Sequence, residues 1–131
     1  MTFLAPYEPY LRSLARVMFG FTFALHGYQK FFGWLGGIGG HSIPVTSMLG
    51  AAGAIETVGG TLIILGLFTP LVAFLLSGEM AVGYFRAHAP NGFWPVTNGG
   101  ELAVLYSFFF LWLASSGAGP LSLDRLLGRK T

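Results

Sequence analysis

Glu56 lies in the stretch Gly53-Ala-Ile-Glu-Thr-Val-Gly-Gly60, a carboxylate in the middle of a segment that is otherwise small and apolar. Such a group needs either a cation or a proton. Three cations, Arg16, Lys30 and Arg86, fall in the apolar segments together with three acids, Glu56, Glu79 and Glu101. A charge at the centre of a membrane helix costs roughly 2.5 to 3.5 kcal/mol on insertion scales, so an inward-facing, mutually paired set is expected. Depth along the segments predicts Lys30 and Arg86 beside Glu101 toward the outer end, with Glu56 and Glu79 near the midplane. Arg16 reaches toward one midplane acid by its long stem. It cannot satisfy both, so one of Glu56 and Glu79 is expected to hold a proton and to exchange it. The competing reading is a network that only fixes helix register.

His26 stands one turn before Lys30 and is placed to relay a proton or contact a ligand, against the commoner role of a packed histidine. A haem between His26 and His88 needs facing helices at matched depth, and only His26 lies clearly inside an apolar segment. His41 falls in a loop. The chain has no cysteine, which excludes a disulfide relay, a thiol redox site and cysteine-ligated iron–sulfur or zinc chemistry within it.

These side chains must be positioned by membrane helices. Of 131 residues, 53% are hydrophobic and 9% charged, against about 25% charged in soluble domains. With about 20 apolar residues needed per crossing, the length allows four crossings and no sizeable soluble domain. The expected fold is therefore all-α, a single integral membrane four-helix bundle, with helices near 11–32, 45–66, 70–87 and 101–116. On the first, Arg16, Gly20, Phe23, Gly27 and Lys30 share a stripe. On the second, Glu56 is flanked along its stripe by Gly53, Gly59 and Gly60. On the third, Glu79, Gly83 and Arg86 share a face. The 20 glycines read as packing surface that lets helices approach closely, and they also allow a homo-oligomer.

Between the helices, 33–44 is too rich in glycine to hold a helix, and it lacks the ending of a phosphate-binding loop. Residues 88–100 form a structured loop with interfacial Phe93 and Trp94, and Pro70 opens the third helix after a tight turn. Residues 1–10 read as an interfacial lead-in, retained rather than cleaved. Arg12, Arg16, Arg125, Arg129 and Lys130 flank the first and last helices, which predicts both termini in the cytoplasm. The net charge of +2 follows from this topology, and nucleic acid is not an expected partner.

The ordered motifs Arg16-x3-Gly20-x2-Phe23-x3-Gly27-x2-Lys30, Glu56-x2-Gly59-Gly60-x5-Gly66-x2-Thr69, Asn98-Gly-Gly-Glu101-x3-Leu105 and Gly117-x-Gly119-x2-Ser122-Leu123-Asp124 cover nearly the whole chain. In these the sequence resembles the DoxX family of small four-helix bacterial membrane proteins. The resemblance implies a multi-pass protein of the inner membrane, associated with quinone-linked oxidation and oxidative-stress complexes. Its motif positions are Arg16, Lys30, Glu56 and Glu101, while Glu79 and His26 rest on the physical argument. The aromatics around Phe19–Phe23 and Phe108–Trp112 permit a flat quinone slot without selecting it.

The expected function is thus a component of a membrane oxidoreductase that binds a small hydrophobic ligand, a quinone, with electrons from a redox partner protein. Glu56, Glu101 and His26 are the expected proton-handling residues, and Arg16, Lys30, Glu79, Arg86 and Asn98 the ligand contacts. The alternatives are a proton-coupled small-solute transporter subunit and a non-catalytic anchor or assembly factor.

Overall fold

In the computed structural model, which describes residues 3–131, the chain is all-helical. The lead-in tightens into a 3₁₀ turn over Ala5–Tyr7 and passes directly into α1, Glu8–Phe32, which starts three residues before the expected Leu11. Pro9 in the first turn explains the early start, since proline is pre-set for that position. Residues 1 and 2 of the expected lead-in lie outside the described residues.

The loop after α1 carries a short turn over Trp34–Gly36 and a single antiparallel bridge between Ile38 and His41. Ser47 then caps α2, Met48–Leu65, its hydroxyl accepting from the Gly50 amide at 3.0 Å. Gly66 closes α2 in a left-handed conformation with φ 68°. α3, Thr69–Gly83, runs on into a π-helical turn, Tyr84–His88, and a 3₁₀ turn, Ala89–Asn91. The third predicted helix is therefore one segment with a change of pitch at Gly83. Short α4, Pro95–Asn98, sits inside the expected loop, α5 spans Glu101–Ser116, and α6 is the single turn Leu123–Leu126.

Four long helices pack in two close pairs, α1 on α2 and α3 on α5, joined mainly through α2 and α3. Small residues set the α1–α2 distance. A Cβ on Gly60 would lie 2.8 Å from Ala24 Cα, and one on Gly27 would strike the Thr57 amide. Tyr28 and Thr61 hydroxyls bond across the same seam at 2.8 Å. Between α3 and α5, Ser77 and Ser107 each donate to the other's carbonyl, at 2.8 and 3.0 Å. The core is Phe23, Ile63, Ala73, Leu76, Tyr106, Phe110 and Leu113.

Outward positions carry large apolar side chains, with Val58, Phe74 and Phe108 more than half exposed. α2 is the helix long and apolar enough, at mean hydropathy 1.7, to cross a membrane by itself. α1 is longer but carries Glu8, Arg12, Arg16 and Lys30, and α5 is apolar over 16 residues.

Candidate functional site

Antiparallel packing of α1 on α2 brings the last turn of α1 level with the first half of α2. Gly53 faces the Lys30 stem, where a Cβ would come within 2.7 Å of Lys30 Cβ. The ammonium is thereby laid against Glu56, 2.7 Å from both carboxylate oxygens. Lys30, not Arg16, is the partner of Glu56. The pair forms part of the wall of a partly open cavity of about 700 Å³ bounded by α1, α2, the α3 segment and α5. Most of the wall is apolar, with Phe23, Leu49, Met80 and Tyr106 among its residues.

Glu79 enters the same cavity from α3, and both of its carboxylate oxygens are buried with no hydrogen-bond partner among the described residues. The expectation that one midplane acid lacks a cation thus falls on Glu79. Arg86, on the π-helical turn, also lines the cavity, and its guanidinium lies 2.9 Å from Met48 Sδ. His26 lines the wall edge-on to Tyr106, with ring centroids 6.3 Å apart. The Tyr106 hydroxyl donates to Thr22 Oγ1 at 2.8 Å and so fixes this ring against α1.

The remaining predicted residues lie elsewhere. Glu101 is exposed at the first turn of α5, outside the cavity wall, so the expected pairing of Lys30 and Arg86 with Glu101 is corrected. Its place among the unpaired amides of a helix start already suits a carboxylate. Asn98 organises the loop: its Nδ2 donates to Gly92 O at 2.7 Å and Tyr84 Oη at 3.1 Å, and its Oδ1 accepts from the Gly100 amide at 2.8 Å. His88 lines the cavity rim with Nδ1 3.3 Å from Asn98 O.

Arg16 requires the larger correction. It lies fourteen residues before Lys30, about 21 Å along the axis at the helical rise, so it is level with the opposite end of α2. There it is fully buried and donates to the carbonyls of Ile63, Ile64 and Leu121, and to Ala118 O at 2.9 Å. Two of these are carbonyls of the last turn of α2, and Arg16 gives Ile63 O a second donor beside the Gly66 amide at 3.1 Å. Gly66 makes room, since a Cβ there would lie 2.9 Å from Arg16 Cζ.

Beside it, Asp124 does the converse for α3. Its carboxylate accepts from the amides of Phe68 at 2.9 Å and Thr69 at 2.8 Å, while its own amide donates to Gly66 O at 2.8 Å. Burial pushes this carboxyl up, but the bonds from the Thr69 and Phe68 amides and from Arg129 outweigh it and hold the group below the usual carboxylate range. Phe68, at φ 53°, is held in its strained turn with the Arg129 guanidinium 4.0 Å over its ring. Ser13 joins the cluster, accepting from the Leu121 amide at 3.2 Å. Sequence reasoning missed the roles of Ser13, Thr69, Tyr106 and Asp124. The signal available for Thr69 and Asp124 was their place in the ordered motifs, which gave no role to either.

A sequence profile of the DoxX family matches residues 11–89. An uncharacterized protein of Haemophilus influenzae is 45% identical over 134 residues, which covers 99% of this chain and 100% of that protein. A second uncharacterized protein of Haemophilus influenzae is 36% identical over 66 residues, 50% of this chain and 44% of its own length. No solved structure matches the chain.

Proposed function

The chain belongs to the DoxX family, and we propose that it is a multi-pass inner-membrane protein that binds a quinone in the Lys30–Glu56–Glu79 cavity as part of an oxidoreductase system. The observation that carries this reading is the cavity itself: about 700 Å³ of largely apolar space ending on an ion pair and an unpartnered carboxyl group. Ligand sites for small amphipathic molecules have this size and this division between apolar wall and few polar groups. The apolar outer surface and four long helices support four crossings, and the basic residues near α1 and after α5 support cytoplasmic termini.

A bound quinone supplies reversible two-electron, two-proton chemistry. Within this chain Lys30 and Arg86 hold the polar end of the ligand, and Phe23, Leu49 and Tyr106 enclose its ring and exclude water. Glu79, whose oxygens no protein donor occupies, holds or hands over a proton, while Glu56 keeps the Lys30 ammonium in place. The chain has no cysteine and no group of three metal-ligating side chains among the described residues. The reading therefore assigns electron supply to a partner redox protein.

The test is the quinone content of the full chain purified in mild detergent and extracted with organic solvent. Wild type is expected to carry or to take up a benzoquinone, with Lys30→Ala and Glu79→Gln each weakening its retention. Failure of wild type to retain or bind any quinone overturns the reading. The unpartnered Glu79 also fits a proton-coupled carrier. Glu79-dependent solute uptake driven by a pH gradient in proteoliposomes, without quinone binding, is the result that selects it.

A further inference from the structure

The cavity is not closed on all sides. α1 packs along α2, and α5 along α3, but α1 and α5 touch over little of their length. In that seam lies a second hollow of about 510 Å³, an apolar groove on the outer surface of the bundle. Its floor and sides include Met18, Phe19 and Leu105, and it shares His26, Leu102 and Tyr106 with the main cavity. The two spaces thus adjoin, with His26, Leu102 and Tyr106 in the wall between them. The Tyr106 ring is held by its hydrogen bond to Thr22 and by edge-on contacts with Phe19, Phe23 and His26. Phe19, in the groove wall, is stacked on Phe109 with ring centroids 3.8 Å apart.

We infer that this groove is the tail subsite of the cavity, and that the ligand is a quinone bearing a polyprenyl chain, which arrives sideways from the lipid between α1 and α5. The inference rests on the quinone reading above and adds the substrate class and its route. Its basis is the order of the chemistry along α1. Lys30 is at the polar end, His26 is at the junction, and Met18 lies about 12 Å further along the axis at the helical rise. A ligand whose head sits at Lys30 and whose flexible apolar tail runs past His26 toward Met18 meets polar and apolar surface in that sequence. Because the groove is on the outside of the bundle, the tail needs no helix to move apart for it to enter.

The test compares binding of a benzoquinone carrying a polyprenyl tail with binding of the same ring without a tail, in the full chain in nanodiscs. Leu105 and Met18 are both about half exposed, so Leu105→Trp and Met18→Trp fill the groove at positions that tolerate bulk. Each is expected to weaken the tailed quinone about tenfold, the scale of roughly two lost CH₂ contacts, and to leave the tail-less ring unchanged. If both quinones weaken equally, or neither does, the tail does not lie in the groove and the inference falls while the cavity reading stands. A phospholipid retained by wild type and lost from the variants, with both quinone affinities unchanged, overturns it too by giving the groove to a bilayer lipid. If wild type binds neither quinone, the cavity reading itself has failed.

Discussion

Lys30→Met removes an ammonium while leaving an unbranched apolar stem in the same space. Lys30 Nζ is 2.7 Å from Glu56, and the two side chains are 17% and 5% exposed, so water replaces little of what is lost. An exposed ion pair is worth about 0 to 1 kcal/mol. Removing one member of a buried pair costs about 3 to 5 kcal/mol, because the other charge is left alone in a medium that solvates it poorly. Here Glu56 is left facing a cavity that already holds the Glu79 carboxyl, with no compensating cation at 2.7 Å. The expected loss for Lys30→Met is therefore about 3 to 5 kcal/mol. Glu56→Leu leaves the ammonium as the lone buried ion and is likewise expected to cost about 3 to 5 kcal/mol. The double variant Lys30→Met with Glu56→Leu leaves neither ion and is expected within about 1 kcal/mol of wild type. The assay is reversible unfolding in mixed detergent micelles, followed by circular dichroism. A loss below about 1 kcal/mol for Lys30→Met, or a double variant that loses the sum of the singles, would refute the argument that this pair is a buried, coupled unit.

Arg16→Lys keeps the charge but not the planar fork that reaches four carbonyls, so it is expected to lose about 1.5 to 3 kcal/mol. It should also expose the segment after α5 to trypsin at Arg125 and Arg129, and an unchanged digestion pattern would count against the bonds described. Asp124 is held below the usual carboxylate range, so its contribution is present above the unfolded-state value and is lost as pH falls through the lower folded-state value. Wild type is therefore expected to lose this stability only in acid below the ordinary carboxylate range, and Asp124→Asn to be less stable at neutral pH with that acid step missing from its pH–stability curve. Gly27→Ala drives a methyl group into the Thr57 amide and is expected to cost about 1 to 3 kcal/mol, whereas Gly78→Ala, with nothing within 4 Å, should gain about 0.5 to 1 kcal/mol. Equal effects at the two glycines in thermal unfolding would remove the close-packing account of the α1–α2 seam.

The helical class of the chain and the inward stripe of α1 were legible because Arg16, Gly20, Phe23, Gly27 and Lys30 repeat at helical spacing, and all but the partly buried Lys30 are buried. The charges that belong together were only partly legible. Sequence depth placed Lys30 near Glu101, because both flank loops on the same side, yet it is α2 that lies against α1. Pairing depends on which helices are neighbours, and periodicity within one helix carries no information about that. The same gap hid the role of Arg16, whose partners are backbone carbonyls and so have no residue type to search for. The pitch change at Gly83 went unseen as well, since Tyr84–His88 contains no residue that forbids an α-helix.

The carbonyls of Ile63 and Ile64 and the amides of Phe68 and Thr69 are bound from opposite directions, by Arg16 near the start of the chain and Asp124 after α5. In order of synthesis this means that the α2–α3 hairpin emerges with its turn half satisfied: Arg16 is already waiting, but the carboxylate that holds the two amides is made only after every long helix. Until then the turn around strained Phe68 has water as its only substitute. The bundle is thus latched late, by a residue about 55 positions downstream of the amides it holds. A chain stalled after α5 would contain all the cavity-forming helices and still lack the contact that fixes how α2 and α3 meet.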